Sequence, residues 1–348
     1  MRLAYQPFDL PLRHVFTISR GSTAVQRTLI VQLSVGDVHG YGEATANAYY
    51  GATIENMSAS LESVRSFVED VLLQDPLDLI AALARRLPKQ EFALSALDEA
   101  IHDLWGKLRA APVHRLWGLS TDNLPRSDYT IGLDTPAVML EKLREMPLWP
   151  IYKIKLGAQG NLDAVRALRH HTDAVFRVDA NGSWTAEQAV AASHSLRELG
   201  VEFIEQPLAP GDDAAARWLF ERSALPIVAD ESCVTEADVD RCVGLFHGIN
   251  VKLVKCGGLA AARRMIERAR VLGLRVMLGC MTESSVGISA LAQLLPLADF
   301  ADLDGAVLLA QDIATGVRLD RGRCIFPAEN GTGVRLLGGP MSNSARHA

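Results

Sequence analysis

Five short stretches decide the fold: IYKIKLG (151–157), VFRVDANG (175–182), VEFIEQPL (201–208), IVADES (227–232) and INVKLVKCGG (249–258). Each is an apolar-rich run that meets a charged residue and then turn-forming residues, the pattern of a strand entering a loop. Between them lie stretches with helical periodicity: NLDAVRALRHH (161–171), TAEQAVAASHSLRELG (185–200), EADVDRCVGLF (236–246) and LAAARRMIERARVLG (259–273). Strands alternating with helices predict a parallel sheet. Working outward, SDYTIGL (127–133) precedes the series, and LRVMLGCMTES (274–284) and ADLDG (301–305) follow it. Eight such strands favour a closed barrel. The landmark residues Lys153, Asp179, Glu205, Asp230 and Lys252 recur at intervals of 26, 26, 25 and 22, which fits one strand and one helix per step. An open doubly wound sheet is the alternative, but no G-x-G-x-x-G follows the first strand.

Residues 1 to about 45 read as β-rich: RTLIVQLSV (27–35) alternates, and GDVHGYGEA (36–44) supplies turn glycines. Two helical patterns follow, within 56–73 and 92–108, the second with Ala93, Leu97, Ile101 and Leu104 on one stripe. The stretch 109–126, with prolines and a glycine, reads as a connection. The expectation is an α/β protein: a modified (β/α)7β TIM-type barrel over 121–317, with an α+β N-terminal capping domain over 1–120 completed by the tail 318–348.

Composition excludes several classes. With 49% hydrophobic and 22% charged residues, the chain can bury a large core, so global disorder is excluded. The net charge of -6, without a basic block or aromatic ladder, argues against nucleic acid. No apolar run reaches membrane-spanning length, and MRLAYQPFDL lacks the pattern of a signal peptide. Cys233, Cys242, Cys256, Cys280 and Cys324 are scattered and odd in number, which predicts reduced thiols in a cytoplasmic protein. Histidines show no zinc-ligand spacing. Self-association is left open.

The chemistry should sit at the C-terminal ends of the strands. Asp179, Glu205 and Asp230 fall at that place on three consecutive strands. Unpaired, three converging carboxylates would repel one another, and a hard divalent cation with oxygen ligands such as Mg²⁺ resolves the conflict. A single acid there could equally cap a helix or bridge a loop. Three in register are harder to explain that way. Lysine usage is also selective: of 35 basic residues only seven are Lys, and four of these are Lys153, Lys155, Lys252 and Lys255. Lysine, unlike arginine, can give up its proton. Lys153 and Lys155 are two apart on one strand and share a face. A barrel interior does not tolerate unpaired ammonium groups. Lys252 follows the triad and lies roughly across the barrel. Lys255 differs from it in strand parity, and a structural ion pair is an equal reading. Asp302 and Asp304 in ADLDG also share parity, so a cation between them is one reading, and a cap plus a turn aspartate before Gly305 is the other.

The series Y-K-I-K-L-G, V-D-A-N-G, F-I-E-Q-P-L, V-A-D-E-S and N-V-K-L-V-K-C-G-G-L, with ALDEAIHDLWGK before it, resembles the muconate lactonizing subgroup of the enolase superfamily over nearly the whole chain. The resemblance implies that Asp179, Glu205 and Asp230 ligate one Mg²⁺, that Lys155 and Lys252 are the acid/base pair, and that Lys153 assists near the substrate carboxylate. Sites of this superfamily generally combine such bases with Mg²⁺. The D-x-D of Asp302 and Asp304 resembles that of dipeptide epimerases, where the pair holds a substrate ammonium. The loops FTISRGST (16–23) and NAYYGAT (47–53) are then substrate loops, with Arg20, Tyr50 and Thr130 as further binding candidates.

The implied activity is a Mg²⁺-dependent epimerase acting on a small dipeptide. It would invert the α-carbon of the C-terminal residue by two-base 1,1-proton transfer through an enediolate. An o-succinylbenzoate synthase or a muconate-type cycloisomerase would share the lysines and the metal but has no cation for Asp302 and Asp304. A sugar-acid dehydratase would want a histidine base on the later strands. A catalytically silent binding protein would be expected to lose one of the five ligand and base residues. Relatives that accept Ala-Glu carry, by resemblance, an arginine where this chain has Thr23. Together with Tyr49 and Tyr50, that predicts an uncharged C-terminal side chain.

Overall fold

The computed structural model describes residues 1–158 and 162–341. Asn161, the first residue of one helical stretch above, and the end of the tail, 342–348, lie outside the described residues. The chain opens with an antiparallel three-stranded sheet, β1 (Arg2–Ile18), β2 (Gly21–Val35) and β3 (Val38–Thr45). Helices α1 (Ile54–Asp70), α2 (Pro76–Arg86) and α3 (Glu91–Leu108) pack against it, and a single turn α4 (Val113–Leu116) leads out. Thr53 and Asn56 close a reciprocal capping box at the start of α1, whose buried Ile54, Met57, Leu61, Val64 and Val68 repeat at helical spacing. α3 is buried on almost every side, because it lies between the sheet and the barrel. Its contact with β3 is tight enough to require glycine. A Cβ on Gly40 would sit 2.4 Å from the Ala100 carbonyl oxygen, and one on Gly42 would sit 2.0 Å from that of Ala96.

The barrel follows as β4 (Tyr129–Ile131), α5 (Pro136–Glu145), β5 (Ile151–Lys155), α6 (Leu162–Arg169), β6 (Val175–Asp179), α7 (Ala186–Glu198), β7 (Val201–Glu205), α8 (Asp213–Arg222), β8 (Ile227–Ala229), β9 (Gly248–Val251), α9 (Leu253–Cys256), α10 (Leu259–Val271), β10 (Arg275–Gly279), α11 (Ser285–Ala292) and β11 (Phe300–Asp302). β4 to β11 form one parallel eight-stranded sheet in chain order. The seam between β11 and the segment before β4 is thin: a Ser127–Ala301 bridge, with the Asp128 amide donating to the Ala301 carbonyl at 3.2 Å. The eight-stranded α/β barrel and the preceding antiparallel sheet agree with the architecture expected from the sequence.

Alternation along the strands sorts the core. Tyr152, Ile154, Phe176, Val178, Ile204 and Ile249 point outward into the layer under the helices. Inside the barrel, Phe203, Val228 and Met277 form a small apolar plug with Phe300. Arg177 lies over the rings of Phe203 and Phe300 and reaches Asp128 at 2.9 Å. Lys153, Lys155, Asp179 and Glu205 stand in the interior beyond it.

Two expectations fail locally. EADVDRCVGLF forms only 3₁₀ turns, Glu236–Asp238 and Asp240–Cys242. The Asp238 carboxylate accepts from the backbone N–H of Val234 and Thr235 and from the Thr235 hydroxyl, which fixes a turn where a longer helix would begin. INVKLVKCGG is a strand only to Val251; Lys252 caps α9, a single helical turn.

The first sheet is stitched to the barrel mouth. Thr17 accepts from the Leu133 amide at 2.8 Å, Pro11 accepts from Ala310 at 2.8 Å, and Arg13 donates to the Val307 carbonyl at 3.0 Å. Glu43 of β3 accepts from the backbone N–H of Ser284 and Gly287 at the start of α11, as a capping carboxylate from the other domain. The tail returns to this sheet: the Met341 amide donates to Gln32 at 2.7 Å, and Val334 packs with Ile30 and Tyr41.

Candidate active site

β6 ends on Asp179, β7 ends on Glu205, and Asp230 follows β8. Asp179 lies in register with Glu205, and Glu205 with Val228. The three buried carboxylates therefore converge, each with an oxygen within 4.8 Å of the others. The lysines supply the opposing charge. Lys153 Nζ lies 2.7 Å from Glu205, 3.3 Å from Asp179 and 2.7 Å from Asp302. Lys155 lies 2.6 Å from Asp179, and Lys252 lies 2.9 Å from Asp230.

These contacts set the protonation states. Burial opposes ionisation of Asp179, yet Lys155 and Lys153 hold its carboxyl below the usual range. Against the same burial, Lys252 and Lys255 hold Asp230 well below it. At Glu205, burial and the neighbouring Asp179 prevail over Lys153 and push the carboxyl up to about 7. Burial opposes the charge on Lys153 and Lys252, but the carboxylates overcome it: Asp302 and Glu205 for Lys153, and Asp230 for Lys252, raise both ammonium groups above their ordinary range.

The donor set fits a hard divalent ion. Glu205 Oε1 accepts from Asn250 Nδ2 at 2.8 Å, whereas Oε2, though close to Lys153, makes no hydrogen bond of normal geometry. Three buried carboxylates, one with an oxygen left in that state, match the few-carboxylate coordination of Mg²⁺.

Lys255 is resolved by the helical turn. Spaced three residues from Lys252 on α9, it reaches the other oxygen of the same carboxylate, Asp230, at 2.5 Å. It also donates to the carbonyls of Asp230, Cys233 and Asn250. These four bonds make it an ion pair embedded in backbone carbonyls, the structural reading of the two. Strand parity separates the two lysines only if the strand runs on through Lys255, whereas it ends at Val251.

A cavity of about 390 Å³ opens above these groups, lined from both domains. Lys153, Lys155, Asp230 and Lys252 form its floor, and Asp302, Asp304 and Thr130 one wall. The Thr130 amide donates to Asp304 at 2.6 Å. Asp302 is held far below the usual carboxylate range by Lys153 in spite of burial, whereas burial and Asp302 push Asp304 up to about 7. From the first sheet and the loop after it, Phe16, Ile18, Thr23, Tyr49 and Tyr50 complete the lining. The Tyr50 ring packs on Tyr49 and Phe92. Arg20, in the turn between β1 and β2, lines the cavity, but its guanidinium is engaged. It bonds Glu231 at 2.6 Å and the Asn181 carbonyl at 3.0 Å, and it lies over the Tyr49 ring.

Sequence reasoning did not single out Asn250, Glu231, Asn181 or Gln206. Asn250 shares parity with Lys252, a usable signal. Glu231 meets Arg20 across 211 positions, and no local pattern reports that pairing.

A capping sheet over a parallel barrel with three carboxylates and facing lysines at its mouth defines an enolase-like architecture. Residues 137–338 match the enolase C-terminal domain-like family, and residues 6–118 match the N-terminal domain of mandelate racemase and muconate lactonizing enzyme. The chain belongs to this mandelate racemase/muconate lactonizing enzyme family of the enolase superfamily. It is 48% identical to an L-Ala-D/L-amino acid epimerase of Flavobacterium johnsoniae, over 97% of this chain and all of that one. It is 39% identical to an L-Ala-D/L-Glu epimerase of Bacteroides thetaiotaomicron, over 97% and 88%. A dipeptide epimerase of Methylococcus capsulatus, solved with Mg and L-Arg-D-Lys, superposes with a TM-score of 0.87 at 32% identity, over 95% and 98%. Among the described residues, no helix is long and apolar enough to cross a membrane.

Proposed function

We propose that this chain is a Mg²⁺-dependent dipeptide epimerase that inverts the α-carbon of the C-terminal residue by proton transfer between two lysines. One observation carries the reading. Lys155 ends β5 and Lys252 follows β9, four strands away in a ring of eight, so the two amines face each other across the mouth. A carbon held between them can lose a proton on one face and gain one on the other, which inverts it.

Asp179, Glu205 and Asp230 would hold the metal, which supplies positive charge against the negative charge that builds on the substrate carboxylate. Lys153, beside Glu205 and Asp179, adds a second positive charge there. In one direction Lys155, as the amine, accepts the α-proton, and Lys252, as the ammonium, delivers its own proton to the opposite face. The epimer reacts with the roles exchanged. Asp302 and Asp304 receive the N-terminal ammonium of the dipeptide and thereby fix which α-carbon stands between the lysines. Thr130 orients Asp304. The first-domain hairpin and the Tyr49–Tyr50 loop cover the C-terminal side chain and exclude water. An uncharged side chain suits that wall, since Arg20 is engaged by Glu231. The relatives named above support the substrate class, and the ligand-bound neighbour supports the metal.

The test is incubation with a dipeptide library in D₂O. Deuterium should enter only at the α-carbon of the C-terminal residue, together with the epimer. Failure to exchange with any dipeptide, with turnover of a cycloisomerase or o-succinylbenzoate synthase substrate instead, would overturn the reading.

A further inference from the structure

Gln206 directly follows Glu205, yet its side chain faces away from the cavity floor and is fully engaged. Its Oε1 accepts from the backbone N–H of Asp230 at 2.9 Å and of Ser232 at 3.0 Å. Its Nε2 donates to the Leu208 carbonyl at 2.7 Å and to the Ser232 hydroxyl at 2.8 Å. Its own carbonyl accepts from Gly182 at 2.7 Å, in the loop that begins at Asp179. Its own N–H donates to the Val228 carbonyl at 2.8 Å. One buried residue is thus bonded to all three segments that carry the carboxylates. It does so at φ 36, a left-handed conformation that a side chain other than glycine adopts at a cost and keeps only where its surroundings over-determine it.

We infer that Gln206 is a positioning residue for the metal centre. Its amide fixes the backbone of Asp230 relative to Glu205, and its carbonyl fixes the loop after Asp179, so the three carboxylates keep the spacing that one ion needs. The unusual backbone follows from this role. The positive φ aims the side chain at the β8 loop while Glu205 still faces the cavity. A turn that needed only the conformation would be served by glycine, which adopts it without strain and carries no amide.

The inference rests on the proposed metal site, and it is tested on the purified apoprotein without substrate, by titration with Mn²⁺ read by the EPR signal of the free ion. Gln206→Met keeps the volume and removes the four side-chain bonds. Gln206→Gly removes them and relieves the backbone as well. Outer partners of metal ligands are typically worth about 10- to 100-fold in affinity, and each variant should bind Mn²⁺ more weakly by about that factor. The thermal midpoint of each apoprotein is measured alongside, since a purely structural role would lower it and leave Kd unchanged. If Gln206→Met does not fold, Ser232→Ala serves: it removes only one acceptor of the amide and should weaken binding by a smaller factor. Gln206→Gly binding Mn²⁺ as tightly as the wild type would overturn the inference, because the turn alone would then suffice. Folded Gln206→Met, or Ser232→Ala in its place, with an unchanged Kd would overturn it too. A wild-type protein that binds no Mn²⁺ would remove the metal site itself, and this inference with it.

Discussion

Two groups of carboxylates face one cavity and are neutralised differently. Asp179, Glu205 and Asp230 lie against lysines of the chain itself. Among the described residues the Asp304 carboxylate accepts from Thr130, and its charge is opposed by burial and by Asp302. Each acid of the first group has a lysine of the chain within ion-pair distance, and one of these, Lys153, also reaches Asp302. An ion held by those carboxylates would compete with Lys153, Lys155 and Lys252 for the same oxygens, which would couple metal binding to the release of the amines. In the second group Asp302 shares Lys153 with the first, whereas among the described residues Asp304 has no ion-pair partner, and on the proposed reading a cation brought by the ligand completes it. On the proposed reading, one set of acids serves the ion and the other the substrate.

The strongest way to break this comparison is to remove the amines. Lys155→Ala and Lys252→Ala should each lower kcat by at least about 10²–10⁴-fold, the usual contribution of a positioned acid or base. One of the two should still exchange the α-proton of a single enantiomer with D₂O, because one base can remove and return a proton on its own face. Both variants retaining most of their turnover would rule out the two-base reading.

Next in size is the ion. Chelation should abolish activity, and Mg²⁺ or Mn²⁺ should restore it; full activity in a metal-stripped sample would refute the role of the triad. Glu205→Gln sharpens the point. Burial and Asp179 already push this carboxyl up to about 7, so an amide in its place costs the apoprotein little. The variant should keep its thermal midpoint within a few degrees and lose most of its metal affinity, as measured by calorimetric titration.

The substrate-facing pair gives a smaller and pH-dependent effect. Losing a charge-assisted hydrogen bond costs about 1.5–3 kcal/mol, so Asp304→Asn should raise KM about 10- to 100-fold, with the larger part of kcat retained. With its pKa up at about 7, Asp304 carries its proton below that pH and gains its charge above it. Wild-type KM should therefore rise as pH falls through about 7, and KM of the variant should stay flat over the same interval. A parallel rise in both would assign the pH dependence to another group.

The legibility of these regions differs for a physical reason. Strand period and the rule that barrels do chemistry at strand ends make Asp179, Glu205, Asp230, Lys153 and Lys155 readable from spacing alone, because the interaction that matters is with neighbouring strands of constant geometry. Lys255 was ambiguous because the chain changes from strand to helical turn at Lys252, and parity loses its meaning there. The turns after β8 carry a helical periodicity, which does not reveal that the Asp238 carboxylate is taken up by Val234 and Thr235. Arg20 is legible as a binding candidate through the family resemblance, but its bond to Glu231 is set by how the first sheet sits on the barrel, which only the fold shows.

That last contact yields the finest prediction, which concerns the side chain of the substrate. Arg20 is the one cation among Arg20, Thr23, Tyr49 and Tyr50, and it is about one-third exposed. To meet a substrate carboxylate it would have to leave Glu231. Glu231 is buried, and burial and Asp230 already raise its pKa against the pull of Arg20. Losing Arg20 would strand that carboxyl, so the exchange gains little. The comparison to make is kcat/KM for Ala-Leu or Ala-Phe against Ala-Glu. An apolar side chain on the Phe16, Ile18 and Tyr50 wall should win by about tenfold, the scale on which such pockets discriminate. Arg20→Ala should lower both substrates alike, through Glu231 and the hairpin. A strong preference for Ala-Glu that disappears in Arg20→Ala would reverse this reading and show that the guanidinium turns from Glu231 to the substrate.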